Sequence, residues 1–167
     1  MEPNIVEKPA FKAVGLPKEF DGDTRHQIPA LWSSFGARFQ EIRSRIGNHF
    51  FGLCTRADGK DRFAYAAAVE TADLDDLPEG MQGYELAAQN YAVFTVTLTG
   101  EEPIGLELGR ANRHIRNAWL PSSGYVIAMA PDFEYYDERF DPGTLTGEID
   151  LYVPIRLSKA RSERPEA

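Results

Sequence analysis

From residue 90 to 99 (NYAVFTVTLT) apolar and polar side chains alternate, the period-two signature of a strand with one buried face. Ile28, Leu31, Trp32, Phe35, Phe39, Ile42 and Ile46 instead recur at the helical period, with Pro29 suited to a first turn and Gly47 to a stop, so a helix is predicted over 28–46. A second helical stripe, Ile104, Leu108, Ala111, Ile115 and Trp119, predicts a helix over 102–119 that Pro121 closes. Residues 3–16 (PNIVEKPAFKAVGL) are rich in strand formers, but Pro9 cannot donate to a ladder, which marks an edge strand or a bulged one. Two short apolar runs, 49–56 and 62–71, flank Asp58-Gly59, a hairpin signal. Residues 124–130 with 133–136, and then 147–157 after the turn-forming PGTLTG, supply the remaining strands.

The order strand, helix, strand, strand therefore occurs twice. The expected fold is α+β, a tandem pair of such modules with pseudo-twofold symmetry and a central ligand groove at the seam. Module one covers about 3–72, a connector with little regular structure about 73–89, and module two about 90–157. This rests on element order, because the two halves share little sequence. Residues 158–167 (SKARSERPEA) are almost devoid of apolar side chains and read as a disordered tail after a domain spanning 1–157.

Charge narrows the partners. The 167 residues carry 18 Lys and Arg against 26 Asp and Glu, a net charge of −8, which argues against a nucleic-acid surface and favours a neutral or cationic partner. The N-terminus has prolines and charges where a signal peptide needs an apolar run, and no stretch has the length of a membrane span, so a soluble cytoplasmic protein with no membrane partner is expected. The lone Cys54 cannot form an intramolecular disulfide and reads as a small core residue. His26, His49 and His114 lack metal-ligand spacing, and no glycine-rich phosphate loop opens a helix, so neither metal nor cofactor is expected. Ser122-Ser123-Gly124 follows a helix and lacks the flanking pattern of a nucleophile elbow; it reads as a turn.

The acids of the second half carry more information. In DFEYYDE, Glu134 stands between Phe133, Tyr135 and Tyr136, where a carboxylate is costly to desolvate unless a cation neutralises it. The alternative is a Glu134 that reaches solvent or pairs with an arginine. In EIDLYVPIR, Ile149, Leu151, Val153 and Ile155 share one face of a strand while Glu148, Asp150 and Tyr152 share the other. Nineteen aromatic residues exceed what two small sheets require. A groove with aromatic walls and a carboxylate at its base would bind a flat lipophilic cation.

IPALWSSF (28–35), NAWLPSSGY (117–125), FEYY (133–136) and GEIDLYVPI (147–155) together resemble the GyrI-like small-molecule-binding domain, the effector-binding module of AraC-type and MerR-type multidrug regulators. The resemblance covers about residues 3–157. It implies a tandem of two modules around a ligand groove, with Glu134 as the acid at the pocket base and Glu148 as a second pocket carboxylate. Trp32, Phe35, Tyr65, Tyr91, Trp119, Tyr136 and Tyr152 are candidate walls. The leading expectation is a stand-alone protein that captures amphipathic, cationic aromatic compounds, with no DNA-binding domain of its own. A second is a hydrolase that opens strained cyclopropane-type rings, with Glu134 as the catalytic acid. A third, supported locally by net charge alone, is a protein-interaction module such as a DNA gyrase inhibitor.

Overall fold

The structure, a computed structural model, describes residues 1–57 and 61–159. The predicted Asp58-Gly59 turn and most of the predicted tail lie outside the described residues. In chain order the elements are β1 (Asn4–Lys8), β2 (Phe11–Phe20), α1 (Ile28–Gly36), β3 (Arg45–Ala57), β4 (Phe63–Thr71), β5 (Gln82–Leu86) and β6 (Gln89–Leu98). They continue with α2 (Ile104–His114), α3 (Leu120–Ser123), β7 (Tyr125–Ile127), β8 (Asp132–Tyr136), β9 (Phe140–Asp141) and β10 (Thr146–Leu157).

All strand pairs are antiparallel, in the order β1-β6-β10-β8-β3-β4-β2-β5, with β7 and β9 adding to β10. The fold is α+β: one sheet curled into a half-barrel, with both main helices on its outer face. Curling follows from the connections. Pro9-Ala10 carries the chain from edge strand β1 to β2 at the far side of the sheet, and Ala87-Ala88 carries it back from β5 to β6. Such short links require opposite sides of the sheet to approach each other. Val6 of β1 and Leu86 of β5 accordingly join one cluster with Phe11, Phe51, Tyr91 and Phe133 inside the curl.

Outside, α1 sets Leu31 and Phe35 against Val14, Tyr65, Ala67 and Val69. Ala111 and Ile115 pack over Ala92, Phe94, Ile149 and Leu151. Both helices sit to the sides, on β2 and β4 and on β6. The central strands β8 and β3 lie between them.

Several elements differ from the sequence expectation. Pro9 splits residues 3–16 into two strands on opposite sides of the sheet; β1 is the expected edge, whereas β2 is flanked by β4 and β5. Pro17 is tolerated in β2 because β5 pairs only with Phe11–Gly15, leaving that side of Pro17 open. The first helix stops at Gly36 instead of running to 46. Phe39 starts a 3-10 turn, Ile42 is fully buried but extended, and Ile46 is 48% exposed at the start of β3. The apolar period outlives the helix because Phe39 and Ile42 serve the same cluster by another backbone route.

Pro121 does not close the second helix. Ile115–Trp119 winds as a π-helix, α3 continues through Pro121, and Gly124 at φ 79° forms the left-handed cap. A segment that has already left the ordinary ladder has room for a residue without an N–H. The connector 73–89 contains β5, which lengthens the side of β2. Among the described residues no helix is long and apolar enough to cross a membrane.

Candidate functional site

β8 and β3 pair directly, placing Glu134 opposite Gly52, while on its other side Glu134 faces Leu151 of β10. Alternation along β8 turns Asp132, Glu134 and Tyr136 outward to the helix face, and Phe133 and Tyr135 inward. The two main helices make their principal sheet contacts to either side of this strip, on β2 and β4 and on β6. The Glu134 carboxylate is thus enclosed by protein on most sides yet keeps part of its surface accessible.

Its partners are phenols. Tyr65 Oη donates to Glu134 Oε1 at 2.9 Å and Tyr136 Oη donates to Oε2 at 3.2 Å. Trp32 Nε1 donates to Tyr65 Oη at 2.9 Å, so α1 is tied to the carboxylate through one hydroxyl. The Trp32 ring stands edge-on to Tyr136 at 5.3 Å and to Phe50 at 6.3 Å. Tyr65 reaches Glu134 by crossing β3 above Gly52. A Cβ there would lie 2.9 Å from Glu134 Oε1 and collide with the Tyr65 phenol, so the absent side chain makes the contact possible.

No cation of the described residues pairs with Glu134. Burial pushes its pKa from 4.5 up to about 7, opposed by the two phenol hydrogen bonds and reinforced by the nearby Asp132. Burial, with the Glu134 charge adding to it, also holds the Tyr65 and Tyr136 hydroxyls well above the ordinary tyrosine range, so they remain donors. Asp132 is raised too, chiefly by burial; Arg116 of the π-helical turn, at 4.0 Å, pulls the other way. Cys54 pairs with Asp132 across the strands, and burial pushes its thiol far up, away from reactivity. Among the described residues no three His, Cys, Asp or Glu side chains gather as a metal site.

Of the residues singled out from sequence, Glu134, Trp32, Tyr65 and Tyr136 meet at this spot. Phe35 lies beneath α1 with no exposed surface, anchoring the helix instead of lining the groove. Trp119 shares the helix face but packs edge-on to Phe94 at 5.1 Å and parallel to Tyr125. Tyr91 and Tyr152 are on the inner face, packed on Phe133 at 5.3 and 4.5 Å. Glu148 does not join Glu134. It belongs to the inward parity of β10, its side chain is 47% exposed, and Arg139 lies 3.6 Å away. Sequence reasoning passed over Gly52, Phe50 and Asp132. Asp132 was accessible by parity, two residues before Glu134, but Gly52 and Phe50 depend on the pairing of β3 with β8, which no local pattern encodes.

Several known proteins resemble this chain in sequence or fold. Over 157 residues, 93% of this chain and 56% of the relative, the sequence is 33% identical to the transcriptional regulator BrlR of Pseudomonas aeruginosa. It is also 33% identical over 88 residues to a DNA gyrase inhibitor of Erwinia billingiae, covering 51% of this chain and 52% of that protein. The chain spans about half the length of these curated relatives. SAV2435, solved bound to tetraphenylphosphonium, has a similar fold, with a TM-score of 0.73 at 15% identity and coverage of 98% of both chains. The family description of the GyrI-like small molecule binding domain matches residues 1–156, and the chain belongs to that family.

Proposed function

We propose that this domain binds amphipathic cations bearing aromatic groups in the strip between α1 and α2, with Glu134 as counter-charge. One observation carries the reading: among the described residues, a shielded carboxylate bonded to two phenols and flanked by the Trp32, Tyr65 and Tyr136 rings has no cation of its own. A lipophilic cation supplies one. It is attracted by the charge and by the ring faces, and its apolar substituents leave water. SAV2435 supports the same reading, as a similar fold solved with such a cation. Two modules related by a pseudo-twofold axis, 3–72 and 90–157, belong to this proposal. They are supported by the order β6-β10-β8-β3-β4-β2, in which three strands of each half lie, from the edge toward the centre, in the same sequence: first, last and middle in chain order. Glu134 then sits where the halves meet.

The test is a titration of wild type and Glu134→Gln with tetraphenylphosphonium. The variant should bind at least about tenfold more weakly, a loss of ~1.4 kcal/mol or more, while keeping its far-UV spectrum and melting cooperativity. Equal affinities would overturn the assignment.

A pKa of about 7 supports a second reading: Glu134 can hold a proton near neutrality and deliver it to one ring carbon as the strained C–C bond breaks, while water adds to the other carbon and its released proton restores the acid. Multiple turnovers of a cyclopropane-bearing alkylating compound by wild type, absent in Glu134→Gln, would establish hydrolysis. Stoichiometric binding without product would leave capture as the function.

A further inference from the structure

The opposite face of the sheet has a cavity of its own. It is about 270 Å³ in volume and is lined by Lys8, His49, Glu70, Phe133, Tyr135 and Tyr152, among others. Its origin is in the backbone of β3. Between Arg45 and Phe50 the pairing with β4 shifts register, and Gly47 there adopts φ 70°. The bulge lifts Ile46, Gly47 and His49 away from the ladder and opens one end of the half-barrel above the inner aromatic cluster. The sheet itself separates this cavity from Glu134, because Phe133 and Tyr135 point inward where Glu134 points out.

Rings form its floor and one wall. Tyr152 stacks on Phe133 at 4.5 Å with 14° between planes, and Tyr135 stands across Tyr152 at 6.0 Å. His49 sets one ring nitrogen against the Tyr135 hydroxyl and the other 3.1 Å from Glu138. Three polar groups lack hydrogen-bond or ion-pair partners among the described residues. The Tyr152 hydroxyl and the Glu70 carboxylate have neither kind of contact. The Lys8 ammonium rests only over the Phe11 ring, at 4.3 Å. Lys8 and Glu70 face one small cavity but form no salt bridge with each other. A single-sign ligand would match one of them and leave the other opposed; a ligand carrying both signs matches both.

We propose that this cavity is a second ligand site, for a small aromatic zwitterion of the amino-acid type. Its one ring system packs against Tyr152 and Tyr135, its carboxylate meets the Lys8 ammonium and its ammonium meets the Glu70 carboxylate. Volume limits the ligand: ligand clefts generally run from about 300 to 1,000 Å³, so this one holds a single ring system and not a polycyclic dye. The site is independent of the reading of the Glu134 groove.

Isothermal titration with L-tryptophan, indole-3-propionate and tryptamine tests it. Tryptophan should bind, and the two analogues, each lacking one charge, should bind at least about tenfold more weakly, the scale of a lost charged hydrogen bond. Lys8→Ala and Glu70→Gln should each reduce tryptophan affinity by a similar factor. Both side chains are only partly buried, so melting temperatures should stay close to wild type. Tetraphenylphosphonium should leave tryptophan binding unchanged, and Glu134→Gln should retain it. The proposal fails if tryptophan does not bind at millimolar concentrations, if either analogue binds equally well, or if tetraphenylphosphonium displaces it. Loss of cation binding in Glu134→Gln bears on the outer groove alone.

Discussion

On its outer face β8 presents Asp132, Glu134 and Tyr136, and on its inner face Phe133 and Tyr135. Aromatic rings are abundant on both sides, so rings do not distinguish the two regions. Charge and enclosure do. Outside, the carboxylates of Asp132 and Glu134 are desolvated together, and Arg116 lies 4.0 Å from Asp132. Inside, Lys8 and Glu70 bring opposite signs to the lining of one cavity. One strand thus supports an anionic site and a mixed-charge site, insulated from each other by the thickness of the sheet.

The change with the largest expected effect on this contrast is Gly52→Val. The new side chain points outward into the Tyr65–Glu134 contact, and overpacking of this kind costs about 1–3 kcal/mol. Tetraphenylphosphonium affinity should fall by up to roughly a hundredfold on that scale, while L-tryptophan binding in the inner cavity stays as in wild type. Parallel loss of both ligands would show that the faces are coupled.

pH should separate the faces next. With a ligand-free pKa of about 7, Glu134 is mostly protonated on the acid side of neutrality, and a cation binds its ionised form. Tetraphenylphosphonium, whose own charge does not titrate, should bind roughly tenfold tighter at pH 8 than at pH 6, with uptake of the cation releasing a proton. A flat profile would contradict the shielded carboxylate. Stability of the ligand-free protein runs the other way. The folded state retains a proton that the unfolded chain gives up, so this group's contribution is most favourable below pH 4.5 and declines as pH rises through about 7. Glu134→Gln should lack this decline and melt above wild type at pH 8, though not at pH 4.

Tyr65→Phe removes the hydroxyl that joins Trp32 Nε1 to Glu134 Oε1. An orphaned indole N–H and a weakened carboxylate shell should cost about 1–3 kcal/mol in chemical denaturation. Loss of a hydrogen bond that holds the Glu134 pKa down should shift the midpoint of the binding profile upward. An unmoved midpoint would mean that Tyr65 is only a wall. Glu148→Gln should have the smallest effect, within about 0.5 kcal/mol in stability and with unchanged cation affinity. Its side chain is half exposed, and Arg139 keeps Asp137 at 2.9 Å and Asp150 at 2.7 Å. A large loss of cation binding in this variant would restore Glu148 to the groove.

Legibility varied with the range of the interactions. Glu134 stood out because a carboxylate among three rings is a local conflict, visible within four residues. The parity of β10 already put Glu148 and Tyr152 on one face together. What parity within a strand cannot supply is which face of β10 meets which face of β8. That depends on the register Leu151 with Glu134 and Tyr152 with Phe133. The 28–46 stripe misled for a related reason. Phe39 and Ile42 are core residues, as their spacing implied, but they reach the core through a 3-10 turn and an extended residue, since the backbone after Gly36 turns toward β3.

By itself the sequence determined where the two helices begin, the two apolar stripes, the alternation of β6, the acidic balance and the odd carboxylate at 134, because each is set by side chains a few residues apart. Tertiary structure alone decided that Pro9-Ala10 and Ala87-Ala88 curl the sheet, that Gly52 lets Tyr65 reach Glu134, and that a bulge at Gly47 opens a cavity on the other face. Those outcomes come from strands paired across distant stretches of chain. There the energy of a position depends on what the register brings opposite it, and no local pattern carries that information.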